Sequence, residues 1–514
     1  MPADSTHTKS SRFGFVIDHR RCIGCHACTV ACKSENEVPV GDFRTWVKYV
    51  DKGIFPEVRR HFTVLRCNHC DAAPCVEICP TVALHKRTDA IVDLDRDRCI
   101  GCRSCMQACP YDALYLNEDT GTAEKCHYCA HRTELGFEPA CVVVCPAHAI
   151  IPGNVADPGS EIATLIREEK TSQRKVEKGT KPRVWYVDAL DEALVPGSAS
   201  EPPEFIWAER PTPQPAIPPG FDPPPADLVT AFDVGHAPVW GWHIWSYLVT
   251  KNVAAGAMMV APFLTILGVT SAPSTAMGVL PELVALVFMG LTGFFLVHDL
   301  GRPERFLKIV FTPNPRSWLV RGTWILIGFG ALCVVSLGLR VTGDRETSDL
   351  VRWINLPFAI MASGYTAFLF WQCRGRDLWL GKDLFPHLLV MAGLMGAGVA
   401  LVMAAPDGRF ATAEMTFVGF ALVNVLWFSF GRYLRSATED GDKAHAVMYA
   451  SGGPRLARLP LYVSVVCVLF SGNIAGGSTA VEMIFRLVAV VMSIVGLTIY
   501  ERSWVRAGQE VPIS

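Results

Sequence analysis

The sequence predicts a two-part chain: a small, cysteine-packed α+β domain followed by an all-α bundle of about eight membrane-crossing helices. Two observations predict it. Of 19 cysteines, 16 fall between Cys22 and Cys145. Beyond Trp240 the chain becomes a succession of apolar stretches, each near the ~20 residues that span ~30 Å of hydrocarbon. The whole chain of 514 residues is 50% hydrophobic and 19% charged, with a mean hydropathy of +0.27, which argues against an ordinary soluble protein. A formal net charge of -2 offers no basic surface for a nucleic-acid partner.

The cysteines form four groups. The first is Cys22, Cys25, Cys28, Cys32 and the third is Cys99, Cys102, Cys105, Cys109, both with spacing C-x2-C-x2-C-x3-C. The second is Cys67, Cys70, Cys75, Cys79, and the fourth is Cys126, Cys129, Cys141, Cys145 with an eleven-residue gap. Tight Cys-x-x-Cys clusters with no apolar signal-peptide core ahead of them point to metal rather than to secreted disulfides. No twin-arginine signal is read either, since Arg20 and Arg21 abut the first cysteine. The chain is therefore expected to bring no export address of its own. Structural zinc would explain paired cysteines, but not triple cysteines with a fourth at x3, repeated, with Pro80, Pro110 and Pro146 following. That pattern is the bacterial ferredoxin one, in which three close thiolates hold three corners of a [4Fe-4S] cube and the fourth cysteine reaches another cluster. Thiolates suit soft iron, and a tight loop leaves backbone N–H groups free to tune it. The expected fold is thus an α+β ferredoxin-like iron-sulfur domain of two pseudo-symmetric dicluster units over residues 1–194.

From about Val195 the composition turns to EPPEFIWAERPTPQPAIPPGFDPPP, too rich in proline for helix or central strand. Residues 195–234 are expected to be a linker, either disordered or pinned to a neighbouring surface by Phe205 and Trp207. Residues 235–514 form the membrane half, with spans expected at 240–268, 277–299, 318–339, 353–373, 384–405, 411–431, 456–472 and 480–500. An even number returns the C-terminus to the side that holds the cysteine domain, here side A. Trp240, Trp242, Trp318, Trp353, Trp371 and Trp427 mostly fall near span ends, as an aromatic belt requires. Cys333, Cys373 and Cys467 read as packing residues.

Residues 12–188 resemble the four-cluster electron-transfer subunits of molybdenum or tungsten bis-pterin oxidoreductases. The motifs are RCIGCHACTVACKSEN, LRCNHCDAAPCVEICPTVAL, RCIGCRSCMQACPYDA, KCHYCAHRTELGFEPACVVVCPAHAI and the closing DPGSEIATLI to KPRVWYV. The resemblance implies four [4Fe-4S] clusters with exchanged fourth ligands. These are Cys22, Cys25, Cys28 with Cys145; Cys126, Cys129, Cys141 with Cys32; Cys67, Cys70, Cys75 with Cys109; and Cys99, Cys102, Cys105 with Cys79. It also implies a linear order, the group-one cluster nearest a large catalytic partner and the group-three cluster nearest the membrane.

The stretch LVHDLGRPERFLKIVFTPNPRSWLVRGTW, supported by YLVTKNVAAGAMM and GYTAFLF, resembles the NrfD/PsrC family of quinone-interacting membrane anchors. In such systems anchor and four-cluster subunit are usually separate; here they look fused. Where the dimethyl sulfoxide reductase anchor has a glutamate after its third-span serine motif, this chain has Gly322. The resemblance implies a quinone, menaquinone or ubiquinone; its site is expected at the side-A ends of the first two spans, at the membrane edge close to the terminal cluster. Candidate contacts are Trp242, His243, Lys251, His298, Asp299 and Arg302, because a quinone needs groups that hydrogen-bond its carbonyls and exchange protons. For His298, Asp299 and Arg302 the competing reading is a structural loop clamp. A haem anchor needs histidine pairs at two depths, whereas His243, His298 and His387 all lie near side A. An ion path through Lys251, Glu414, Glu482 and Arg486 is the transporter alternative.

The expected role is the electron-transfer and anchor subunit of a respiratory oxidoreductase; the alternative is a self-contained ferredoxin:quinone oxidoreductase or ion-translocating redox module. No nucleotide fingerprint, P-loop or hydrolytic triad suggests substrate chemistry in the chain itself. Thirteen Lys and Arg occupy segments 300–317, 373–383, 431–456 and 501–514, against four in 269–277, 340–352, 404–412 and 471–479. Positive loops stay inside, so the expected location is the inner membrane with the iron-sulfur domain on the cytoplasmic side.

Overall fold

The computed structural model describes residues 11–200, 221, 224–235, 238–266, 278–403, 410–433, 436–473 and 479–513. Strand Phe13–Asp18 is buried along nearly its whole length, and its apolar run suits a position inside a sheet. It lies between Ile150–Asn154, antiparallel, and Val184–Val187, parallel, with Thr171–Ser172 at the edge. The first and last thirds of the domain are thereby sewn together.

A hairpin of Thr45–Lys52 and Arg59–Arg66 makes the second sheet. Two further hairpins, Leu84–Lys86 with Val92–Leu94 and Leu114–Asn117 with Thr122–Lys125, follow Cys79-Pro80 and Cys109-Pro110 at matching places in two halves. The backbone repeats as well. Gly24 and Gly101 both have φ +69°, and His26 and Arg103 have φ 56° and 59°. Each of these left-handed residues sits between cysteines of a C-x2-C-x2-C loop, so the loop coils inward before the helices Ala27–Asn36 and Ser104–Ala108 begin.

The expected linker is partly built into the fold. Leu228–Phe232 adds a third strand to Thr45–Lys52, and Trp46 Nε1 donates to Asp233 Oδ1 at 3.1 Å. The alternating sequence LVTAF covers a sheet edge that would otherwise leave its N–H and C=O groups unpaired. Phe205 and Trp207 lie outside the described residues.

Among the described residues, eight helices are long and apolar enough to cross a membrane. They are Trp242–Ile266, Leu280–His298, Trp318–Thr342, Arg345–Trp371, Leu384–Met403, Phe410–Phe430, Gly453–Asn473 and Thr479–Glu510. Two differ from expectation by more than a turn. The fourth begins at Arg345 rather than 353, because Asp344 caps it through the Thr347 N–H at 3.1 Å and its polar first turns are held by buried partners. The eighth runs ten residues past 500, because its end is covered by the cysteine domain: Gln509 Oε1 accepts from Gln107 Nε2 at 2.8 Å and from the Trp240 N–H at 2.9 Å. The C-terminus therefore lies on side A.

Candidate functional site

The cysteines come together across the sequence. Cys32 of the first group shares a cavity with Cys126, Cys129 and Cys141 of the fourth. Cys109 of the third shares one with Cys67, Cys70 and Cys75 of the second. Cys79 is the neighbouring thiol that acts on both Cys99 and Cys102, and Cys145 and Cys25 act on Cys22. Among the described residues no three His, Cys, Asp or Glu side chains converge closely enough for a single metal ion. The thiols surround space instead, which suits a multi-atom cluster.

Burial alone would hold these thiols in the neutral form. Burial pushes the Cys70 and Cys102 thiols up to about 12 and those of Cys28, Cys109 and Cys129 up to about 11. Thiolates would not persist there unless bound to metal. Donors are aimed at sulfur: the Leu84 N–H meets Cys79 Sγ at 3.4 Å, the Ala149 N–H meets Cys145 Sγ at 3.2 Å, and Asn36 Nδ2 approaches Cys32 Sγ at 3.6 Å. Arg66 is fully buried, lies 4.2 Å from the Phe15 ring centroid and donates Nη2 to Cys141 Sγ at 3.2 Å. Among the described residues no carboxylate pairs with it, so a bound anionic cluster is the natural counter-charge for this guanidinium.

The third cysteine group meets the membrane half through backbone. The Gly301 N–H donates to Gly101 O at 3.2 Å and the Arg302 N–H to Ile100 O at 3.1 Å. A side chain on Gly101 would overlap Gly121 O and stand 2.7 Å from Gly301 Cα, so glycine here serves both the fold of its own half and the close approach of the two segments. Arg305 Nη1 donates to Cys99 O at 3.2 Å, Asn314 Nδ2 to Cys79 O at 2.8 Å and Ser317 Oγ to Ile78 O at 2.7 Å.

Beside this contact lies a polar cluster. Arg103, next after Cys102, places Nη1 at 3.4 Å from Asp299 Oδ1. His243 Nδ1 is 3.2 Å from the same oxygen, and His243 Nε2 is 2.9 Å from His298 Nδ1. Burial pushes Asp299 up to about 6, with Arg103 pulling the other way. Trp242 stacks on His243 with ring centroids 3.9 Å apart, remains 49% exposed, and meets Phe295 edge-on. The result is an aromatic shelf at a span end with imidazole and carboxyl groups behind it, able to flank a planar ring and exchange protons with its oxygens.

Two of the six candidate residues stand elsewhere. Arg302 donates Nε to Thr120 O at 2.5 Å and belongs to the docking contact. Lys251 is enclosed in the bundle, donating Nζ to Ser363 O at 2.6 Å and to Thr366 Oγ1. Gly322 leaves space filled by the Tyr365 ring. Arg103 is absent from the sequence candidates; its signal was a cation in the cluster loop where the first group has His26. Glu501, 3.0 Å from His387, was hidden by falling one residue past the expected end of the last span. Glu414 approaches Ser471, and Glu482 and Arg486 pair one turn apart at 3.7 Å.

Comparison with known families and proteins follows this division. A family described as polysulphide reductase, NrfD, matches residues 232–499. A 4Fe-4S dicluster domain matches 58–155 and a 4Fe-4S binding domain 20–41. A tetrathionate reductase subunit of Salmonella typhimurium is 45% identical over 202 residues, 38% of this chain and 80% of that protein. A polysulfide reductase polypeptide of Wolinella succinogenes is 39% identical over 183 residues, 35% of this chain and 95% of that protein. The arsenate respiratory reductase iron-sulfur subunit of a Shewanella species is 35% identical over 226 residues, 34% of this chain and 96% of that protein.

Proposed function

We propose, on the premise that this chain belongs to the polysulphide reductase NrfD family, that it passes electrons between a catalytic oxidoreductase subunit and the membrane quinone pool and anchors that subunit to the bilayer. The iron-sulfur half and the multi-pass half are one polypeptide, so the hand-over between them needs no subunit interface. The observation that carries the reading is the join between Gly101 and Gly301, which sets the third cysteine group directly against the loop that ends the second span.

Four [4Fe-4S] clusters, when bound, supply one-electron transfer over potentials tuned by their surroundings. We assign them to Cys22, Cys25, Cys28 and Cys145; to Cys126, Cys129, Cys141 and Cys32; to Cys67, Cys70, Cys75 and Cys109; and to Cys99, Cys102, Cys105 and Cys79. Residues 1–194 hold them, 195–234 connect, and 235–514 form the anchor. Trp242 flanks the quinone ring, and His243, His298 and Asp299 hydrogen-bond it and exchange its protons. Arg302 holds the docked loop. The partner is a large molybdenum or tungsten bis-pterin subunit that meets the group-one end, where Cys25 is exposed. The complex sits in the inner membrane with its iron-sulfur half facing the cytoplasm.

Purification of the chain with its bound proteins from native membranes tests this. A large molybdenum- or tungsten-containing subunit should accompany it, and the complex should couple quinone to an artificial dye. A stable single chain active without any partner would favour the self-contained ferredoxin:quinone oxidoreductase.

A further inference from the structure

On the side-A half of the bundle, beneath the iron-sulfur half, runs a set of buried polar side chains that the docking contact does not use. On the first span, His243, Tyr247 and Lys251 recur at intervals of four, so they share one helix face. Lys251 Nζ binds Ser363 O and Thr366 Oγ1 of the fourth span, and Thr366 also hydrogen-bonds the Tyr247 hydroxyl. The eighth span packs against the first and carries Glu501, the carboxyl group that faces the Tyr247 and Lys251 side of that helix. Glu501 Oε1 lies 3.0 Å from His387 Nε2 on the fifth span. Asp383 is half-buried and one turn nearer side A, its backbone carbonyl accepting the His387 backbone N–H at 3.0 Å.

Two features mark this set as more than packing. Lys251, inside a span, and Glu501, at the side-A end of another, are both 0% exposed, and buried ionisable groups are costly. Glu501 Oε2 and His387 Nδ1 are also buried and have no hydrogen-bond partner among the described residues. Each has a free lone pair or proton position facing protein rather than lipid, which is where a proton or an ordered water is accommodated. The neighbours are aromatic: His387 stacks on Trp427 at 5.4 Å and meets Tyr500 at 5.0 Å. Lys251, midway, and Asp383, at the side-A end, are its other ionisable groups.

We infer that Tyr247, Thr366, Lys251, Glu501 and His387 form a proton relay between the quinone end at His243 and side-A water at Asp383. It rests on the quinone reading above and deepens it. The balance is Q + 2e− + 2H+ ⇌ QH2, with the electrons exchanged through the iron-sulfur half and both protons exchanged through this set, in either direction.

The test uses the assembled complex with menadiol and a viologen dye as probes. Glu501→Gln and His387→Gln should lower quinone kcat at least about tenfold with KM within about twofold. Dye reduction of the clusters should be unchanged, and the D2O isotope effect on kcat should grow. Unchanged quinone kcat in both variants, while His298→Ala abolishes it, overturns the relay and leaves the quinone site standing. Unchanged turnover in all three variants overturns the site itself. Should the variants fail to assemble, redox-difference infrared spectra decide. A carboxyl C=O band that shifts in D2O and persists in Asp299→Asn supports the relay, and its absence, or its loss in that variant, overturns it.

Discussion

Arg103 Nη1 lies 3.4 Å from Asp299 Oδ1, so the residue after a cluster cysteine and the residue that ends the second span share one hydrogen bond across the two halves. The same guanidinium group donates to Val239 O at 3.4 Å, just before the first span. Charge at the third cysteine group and protonation at the membrane edge are thereby linked through one side chain.

A pH dependence follows. Burial raises Asp299 from 3.8 to about 6, and Arg103 opposes this. The folded state therefore holds this proton more tightly than the unfolded one. Its contribution to stability is present below about pH 4 and is lost as pH rises through about 6. Quinone turnover should show an ionisation near pH 6 that Asp299→Asn removes. Arg103→Gln withdraws the lowering influence, so the ionisation should move to higher pH. The pH–rate profiles of the three complexes, each with clusters verified by dye reduction, measure this. A profile identical in all three would exclude Asp299 as a proton-exchanging group.

Metal analysis gives a second prediction. Each chain should contain about sixteen iron atoms and as much acid-labile sulfide, and reductive EPR should show coupled centres. Cys102→Ser should perturb the centre beside Gly301 and slow quinone turnover. Cys25→Ser should perturb the centre at the exposed end and slow reaction with the catalytic subunit. Zinc in place of iron would overturn the iron-sulfur assignment.

A third prediction concerns the docking contact. Gly101 has φ +69°, and a side chain there would press on Gly301 backbone at 2.7 Å. Gly101→Ala should cost about 1–2 kcal/mol from the left-handed backbone alone, and more from the overlap. The larger effect is on function, since a displacement near 1 Å can cost about 100-fold in rate. Quinone turnover should fall far more than dye reduction of the remaining clusters. Equal losses in both would mean that the variant damages its own cluster rather than the join.

Reporter fusions test the orientation. A fluorescent protein at the C-terminus should fold and glow, and a phosphatase there should stay inactive, because the arginine-rich loops and the terminus share side A. An active phosphatase would put the iron-sulfur half outside.

The cysteine groups were legible in the sequence because the chemistry of the cube dictates their spacing, and the eight spans because bilayer thickness dictates their length. What the sequence could not carry were contacts made by distant segments. Leu228–Phe232 reads as the tail of a proline-rich tract until the free edge of Thr45–Lys52 is seen beside it. Arg103 occupies an inconspicuous position in its motif and acquires a role only when Asp299 is brought against it. Lys251 reads as a candidate at the quinone end, yet its helix face turns it inward to Thr366, two turns below His243. Residues at the side-A surface and residues in the bundle look alike in a one-dimensional apolar pattern, and only packing separates them.

The last prediction concerns the opposite end of the bundle. Arg352 Nε and Nη2 donate to Glu282 Oε1 and Oε2 at 2.7 and 2.9 Å, with both side chains 0% exposed. Ser336 Oγ adds a bond of 2.7 Å to Glu282 Oε1, and Arg340 binds Asp349 alongside. Such a pair gives little net stability over an apolar replacement of the same volume, since desolvating two charges offsets their attraction. Removing one partner is different, because the other is left charged and buried. Arg352→Met should therefore destabilise the complex by about 3–5 kcal/mol, read as a lower midpoint of thermal inactivation in detergent. Adding Glu282→Leu should restore most of the loss. This end is remote from the cluster contact, so quinone turnover at low temperature should be kept in the double variant. A double variant as unstable as the single one would show that the pair contributes specific bonding energy beyond mutual neutralisation.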